Sequence, residues 1–169
     1  DKVATVSACG KLYRKSILEI PFPKGRIYED LYIISEHVEK ANKIVHTPIQ
    51  IYNYYKRQGS IVNSKFTSKQ YDFFDAISYN RDVIKDKYND KKSLESAVIA
   101  KEAIGSFKII GSAYKTSITD VYKIRKMIKR NYTNILSNSK ISFFFKIKYI
   151  LFILSPKLFN VIKRLIVKK

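Results

Sequence analysis

The chain of 169 residues carries one cysteine, one methionine and no tryptophan. With Cys9 alone no internal disulfide framework can form, and its place in an apolar stretch predicts a buried thiol. The two histidines, His37 and His46, stand apart from any cysteine cluster, so zinc-type ligand spacing is lacking. Neither an internal repeat nor a low-complexity linker occurs. Acidic residues are scarce: 14 Asp and Glu face 33 Lys and Arg, a net charge of +19. From Val121 to Lys169 there are 13 Lys or Arg and no carboxylate, which leaves +6 for the first 120 residues. Long apolar runs are missing too. The densest, Ile141 to Leu154, is 14 residues interrupted by Lys146 and Lys148, short of the roughly 20 apolar residues that cross a bilayer.

What is present bounds the chain as folded. A hydrophobic content of 46% argues against disorder, and the length suits one domain with a modest core or part of a larger one. A basic balance invites nucleic acid, an anionic membrane or a phosphate-bearing substrate as partner. The 13 tyrosines are compatible with nucleic acid, but no helix-turn-helix or aromatic recognition element is present. The reading is therefore no nucleic acid.

Periodicity predicts a mixed beginning and a helical end. Thr5 to Cys9 reads as a short buried strand, and Tyr13 to Ile20 as a short helix with Ile17, Leu18 and Ile20 apolar. Asp30 to Lys40 is a predicted helix with Leu31, Ile34 and Val38 on one face. Ile44-Val45-His46 reads as a strand ended by Pro48, and Ile49 to Tyr55 as β-rich, with Tyr52, Tyr54 and Tyr55 as sheet and core residues, the alternative being an aromatic stacking platform. Beyond Ser68 the period becomes helical: Phe74, Ile77, Arg81, Ile84 and Tyr88 share a face, Ser93 is a candidate N-cap for a helix to about Lys115 with Val98, Ile104, Phe107, Ile110 and Tyr114 as its apolar side, and Thr119 to Arg130 forms another.

The segment with most chemistry is Phe22-Pro23-Lys24-Gly25-Arg26-Ile27-Tyr28-Glu29-Asp30-Leu31. Pro21, Pro23 and Gly25 impose a loop, and Glu29 and Asp30 fall in the first turn of the following helix. Carboxylates there complement the helix dipole, so helix capping is the plain explanation of the pair. The surroundings add more. Upstream stands Gly10-Lys11-Leu12-Tyr13, and downstream Tyr52-Asn53-Tyr54-Tyr55-Lys56-Arg57 followed by Ser60-Ile61.

In this order and spacing the blocks resemble the family 2 glycosyltransferases that build bacterial capsule, exopolysaccharide and lipopolysaccharide. The resemblance covers about Val3 to Ile61 well and the next helical region loosely. It implies an α/β fold, the C-terminal part of a GT-A nucleotide-sugar transferase, followed by an α-helical C-terminal region. The implied divisions are 1–66, the acceptor side of the catalytic domain; 67–136, a helical subdomain; and 137–169, a basic amphipathic tail. Such enzymes carry an Asp-x-Asp metal motif in an N-terminal half. No Asp-x-Asp occurs here, and the chain opens on Asp1 in the middle of what resembles the family's sheet. The expectation is a fragment without the donor half, inactive on its own. A divalent metal, manganese or magnesium, is implied for the longer enzyme, with its ligands outside this chain.

The chemistry implied is inverting transfer of a sugar from a nucleotide-sugar donor to a lipid-linked or glycan acceptor. Such a reaction needs a carboxylate base for the acceptor hydroxyl. The resemblance gives that role to Asp30, with Glu29 orienting the acceptor or the loop. Arg57 and Ser60 match the block suited to closing over the diphosphate, the alternative being ordinary loop contacts. Lys11 either faces substrate or braces the strand–helix junction. Lys24 and Arg26 flank the carboxylates, as contacts for an anionic acceptor or as solvated loop residues.

Ile147, Leu151, Leu154, Leu158, Val161 and Leu165 recur at spacings of four and three, an apolar stripe that Pro156 kinks or splits. Lys146, Lys148, Lys157, Lys163, Arg164, Lys168 and Lys169 surround it. Residues 140–169 fit a helix in the interface of an anionic membrane surface, which implies a cytoplasmic enzyme peripheral on the inner face of the cell membrane. The alternatives are a helix packed on its own domain, and a non-enzymatic basic module that binds membrane or nucleic acid.

Overall fold

Tyr28, a non-glycine residue held in the left-handed region (φ 62°, ψ 28°), turns the chain into its first α-helix. The computed structural model describes residues 6–53, 55 and 65–167. Their α-helices are α1 (Glu29–Lys40), α2 (Asp72–Lys87), α3 (Lys91–Ala113), α4 (Ile118–Lys129), α5 (Tyr132–Ser137), α6 (Phe143–Leu154) and α7 (Pro156–Val167), with 3₁₀ turns at Lys15–Glu19 and Ser68–Tyr71. The chain divides into two compact units, one of residues 1–64 and 68–91 and one of residues 65–67 and 92–169.

The first unit is an α1–α2 pair. Charge suits both helices: Glu29 and Asp30 open α1, and His37 and Lys40 close it; Asp72 and Asp75 open α2, and Lys85 and Lys87 close it. Leu31 and Ile33 of α1 are buried, as are Phe73, Phe74, Ala76, Ile77, Val83 and Ile84 of α2. Two polar ties lock the pair. The buried Asn80 amide donates to the Leu31 carbonyl at 2.7 Å, and the Tyr88 hydroxyl donates to the Ser35 carbonyl at 2.6 Å.

In the second unit side-chain caps start the helices. Ser117 Oγ accepts from Asp120 N–H, Ser142 Oγ from Phe145 N–H and Ser155 Oγ from Leu158 N–H. Pro156 is the first residue of α7, where its missing N–H costs no intrahelical bond. The core joins Ala103, Ile110, Val121, Ile124, Ile128 and Ile135 to Tyr149 and Phe152. Phe107 is its aromatic hub, edge-on to Phe145 at 5.0 Å, Phe152 at 5.4 Å and Phe159 at 5.7 Å. Buried polar groups are paired across elements: Asn131 donates to Glu102 at 2.7 Å, Tyr149 to the Ile128 carbonyl at 2.9 Å, and Asn138 to the Ser96 carbonyl at 2.7 Å.

The expected α/β fold is overturned. The described residues contain no strand and no sheet, and the architecture is all-helical. Val6 to Cys9 is bend and turn with Cys9 exposed, and Ile44, Val45, Ile49, Ile51, Tyr52 and Tyr55 are exposed in irregular backbone. Their β-branched and aromatic composition is a local preference that becomes a strand only beside a neighbour able to complete the ladder. Among the described residues no helix is long and apolar enough to cross a membrane.

Candidate functional site

The Phe22–Tyr28 loop is built to fix the start of α1. Gly25 takes φ +78°, which a side chain would strain. Tyr28 bears the same kind of strain with a side chain in place, at a cost of about 1–2 kcal/mol. Packing and hydrogen bonding hold it there. Its half-buried ring meets Phe73 edge-on at 5.4 Å, and burial pushes its hydroxyl pKa up. Next to it, Ile27 N–H donates to Asp72 Oδ2 at 3.0 Å. Arg26 donates to Asp75 at 2.8 Å, lies 3.7 Å from Asp72 and stands over the Tyr32 ring at 5.3 Å. The two acidic residues of the first turn of α2 thus clamp the loop that delivers Glu29 and Asp30.

At the end of that loop Glu29 is exposed and Asp30 half-buried. Asp30 Oδ1 accepts the Leu31 N–H at 2.7 Å. Beside Asp30 is Tyr13, whose pKa is raised by burial first and by the Asp30 charge second. Tyr13 also packs edge-on against His37 at 5.4 Å, and Phe22 meets the same imidazole edge-on at 5.6 Å. His37 is buried with Nε2 3.1 Å from the Ile20 carbonyl. The half-buried carboxylate therefore stands at a helix N-terminus with Tyr13 in its surroundings.

The other expected site residues fall differently. Lys11 is half-buried and its Nζ donates to the Ser7 carbonyl, a contact that braces the loop near Gly10. Arg57, Ser60 and Tyr54 lie outside the described residues. Lys24 is exposed, whereas Arg26 is engaged by Asp72 and Asp75. Sequence reading passed over Tyr13 as a neighbour of Asp30, His37 as a core residue, and Asp72 and Asp75 as a clamp. The Asp-x-x-Asp spacing at a helix start was visible, but it reads as dipole complement, because its partner Arg26 lies more than 40 residues away in sequence.

Among the described residues no group of three or more His, Cys, Asp or Glu gathers to hold a metal ion. The donor set a divalent cation needs is thus not met by these residues. The second unit bears an open groove of about 260 Å³, lined by Arg125, Lys129, Tyr132, Ile153 and Leu154. There Arg125 donates through Nε and one Nη to the Ile153 carbonyl at 2.8 and 2.5 Å. Comparison of the chain with protein families, curated proteins and solved structures finds no match.

Proposed function

We propose that the chain is the acceptor-side part of an inverting glycosyltransferase of the family 2 type, with Asp30 as its base. The observation that carries the reading is the half-buried Asp30 carboxylate, presented at the N-terminus of α1 by a strained and clamped loop. Strained backbone persists where the surroundings enforce it, and it clusters at functional sites. The order of the Gly-Lys-Leu-Tyr, Phe-Pro-x-Gly and Glu-Asp blocks supports the same reading.

In this mechanism the acceptor hydroxyl oxygen forms a bond to the anomeric carbon of a nucleotide-sugar. The bond from that carbon to the diphosphate oxygen breaks with inversion, and its electron pair leaves with the diphosphate. Asp30 takes the hydroxyl proton. Glu29, exposed beside it, orients the acceptor, and the half-buried Tyr13 ring gives a sugar an apolar surface on which to rest.

The test is Asp30→Asn in the full-length protein that carries this sequence, assayed for transfer of labelled sugar from nucleotide-sugar to lipid-extractable glycan. Asparagine keeps the size and the capping ability of aspartate but cannot take the proton. Transfer should fall about 10²- to 10⁴-fold with thermal stability nearly unchanged. Activity within a factor of a few of the parent, or a loss that tracks unfolding, would mean that Asp30 is only a helix-start residue.

A further inference from the structure

The expected single stripe of the tail is two stripes in the structure, and both are uncovered. Pro156 splits the run into α6 and α7. On α6, Phe145, Tyr149 and Phe152 turn inward, while Phe143, Phe144, Ile147 and Leu154 remain exposed, Phe144 at 82% and Leu154 at 72%. On α7, Phe159 is buried and Leu158, Val161 and Leu165 are exposed. The spacings 143, 147, 154 and 158, 161, 165 place each set on one helix face. Lys146 edges the α6 face, whereas Lys148 turns to the packed side with its Nζ 4.9 Å over the Phe107 ring, and Lys157 and Arg164 flank the α7 face on one side.

The joint between the two helices is fixed. Arg125 holds the Ile153 carbonyl, and the Tyr114 hydroxyl donates to the Pro156 carbonyl at 2.6 Å. Ser155 caps α7. Next to this joint the groove of Arg125, Lys129 and Tyr132 adjoins the exposed Leu154, so cations and an apolar surface meet at one place.

We infer that the free faces of α6 and α7 dock on an anionic lipid bilayer and lie in its interface, with the Arg125–Lys129 groove against lipid phosphates. Charge selects this occupant. From Val121 onward the chain has 13 basic residues and no acidic one, so a second copy on the same face would set like charge against like. Nucleic acid matches the charge, but its phosphate surface gives no partner to Phe143, Phe144 or Leu154. An anionic leaflet answers both, with acyl chains for the apolar faces and headgroups for the lysines. The inference is independent of the transfer chemistry proposed for Asp30.

The experiment is co-sedimentation of the full chain with phosphatidylcholine vesicles made with and without phosphatidylglycerol. Binding should require phosphatidylglycerol and weaken as salt screens the lysines. The exposed double variants Phe143→Ser/Phe144→Ser and Leu158→Ser/Leu165→Ser should each weaken it at least about tenfold. Lys129→Gln should weaken it about fivefold. Helical circular dichroism should stay unchanged, since these side chains contribute little to the core. Equal binding to neutral vesicles would overturn the inference. So would serine variants that bind like the parent, nucleic-acid binding lost in the same variants, or a dimer that those variants dissolve.

Discussion

The Asn80 amide donates to the Leu31 carbonyl across 2.7 Å, one residue beyond Asp30, and ties α2 to the first turn of α1. The same nitrogen reaches the Ala76 carbonyl at 2.7 Å and the Tyr32 carbonyl at 3.3 Å. Asn80 is buried, so the position of the candidate base depends on a polar group with no access to water. Three carbonyls around one nitrogen also define what can replace it.

Asn80→Leu removes the donor but leaves carbonyls that already serve helical bonds, and should cost about 1 kcal/mol in urea unfolding. Asn80→Asp sets a buried carboxylate against those same carbonyls and should cost clearly more, with its pKa raised. Equal costs for the two variants would mean that side-chain volume, rather than hydrogen bonding, is what Asn80 supplies.

The loop clamp divides its work unequally. Asp72 accepts the Ile27 N–H and also faces Arg26, with its side chain 20% exposed, whereas Asp75 meets Arg26 alone at 58% exposure. Exposed ion pairs contribute about 0–1 kcal/mol. Asp75→Ala should therefore hardly change stability, while Asp72→Ala leaves a loop N–H unpaired and should cost about 1 kcal/mol or more. Under the proposed function transfer falls further in Asp72→Ala, mainly in kcat, because the loop sets where Asp30 stands. A larger effect from Asp75→Ala in both assays would remove Asp72 as the anchor.

Alkaline pH acts on tyrosines that folding partly or wholly buries, Tyr79 and Tyr114 among them. Burial, ahead of the charges around them, pushes the hydroxyls of Tyr79 and Tyr114 from 10.0 up to about 12. The unfolded chain thus loses these protons first as pH rises. Their contribution is complete below pH 10 and is lost as pH climbs from 10 through about 12. Tyr114→Phe should lower stability by about 1 kcal/mol below pH 10, through loss of the bond to Pro156. Its deficit relative to the parent should shrink towards pH 12. Taking the difference between the two proteins cancels the titration of the many lysines. A deficit that stays constant across this range would show that Tyr114 does not titrate with folding.

Helices were legible because their signals are local. The expected Asp30 to Lys40 is α1 at Glu29–Lys40, and Thr119 to Arg130 is α4 at Ile118–Lys129. Faces were less so. His37 is buried where Val38 was expected, and Ile104 is exposed where it was expected inside. Neighbouring residues on a helix share an edge, and the packing partner decides which one enters the core. Ser93 lies inside α3 rather than capping it, because Lys91 and Lys92 extend the helix. Ile44 to Tyr55 misled most, since strand composition says nothing about whether a partner strand exists. Asp30 was legible as a helix-start carboxylate with a loop before it. Its Tyr13 neighbour and the Asp72 clamp were not, since both arise from tertiary packing.

The run Phe143-Phe144-Phe145 separates folding from surface within three residues. Phe145 packs on Phe107 at 5.0 Å, while Phe144 is 82% exposed. Deeper in α6, Phe152 has no exposure and touches both Phe107 and Phe159 edge-on. Phe152→Ala removes a ring from a site closed on all sides and should cost about 3–5 kcal/mol. Phe144→Ala should change stability by about 0.5 kcal/mol or less, yet it should reduce binding to anionic vesicles. Urea unfolding and vesicle sedimentation on the two single variants give a double dissociation: one loses stability, the other loses lipid. If Phe144→Ala proved as destabilising as Phe152→Ala, its face would be part of the core, and the bilayer would have no free surface to meet.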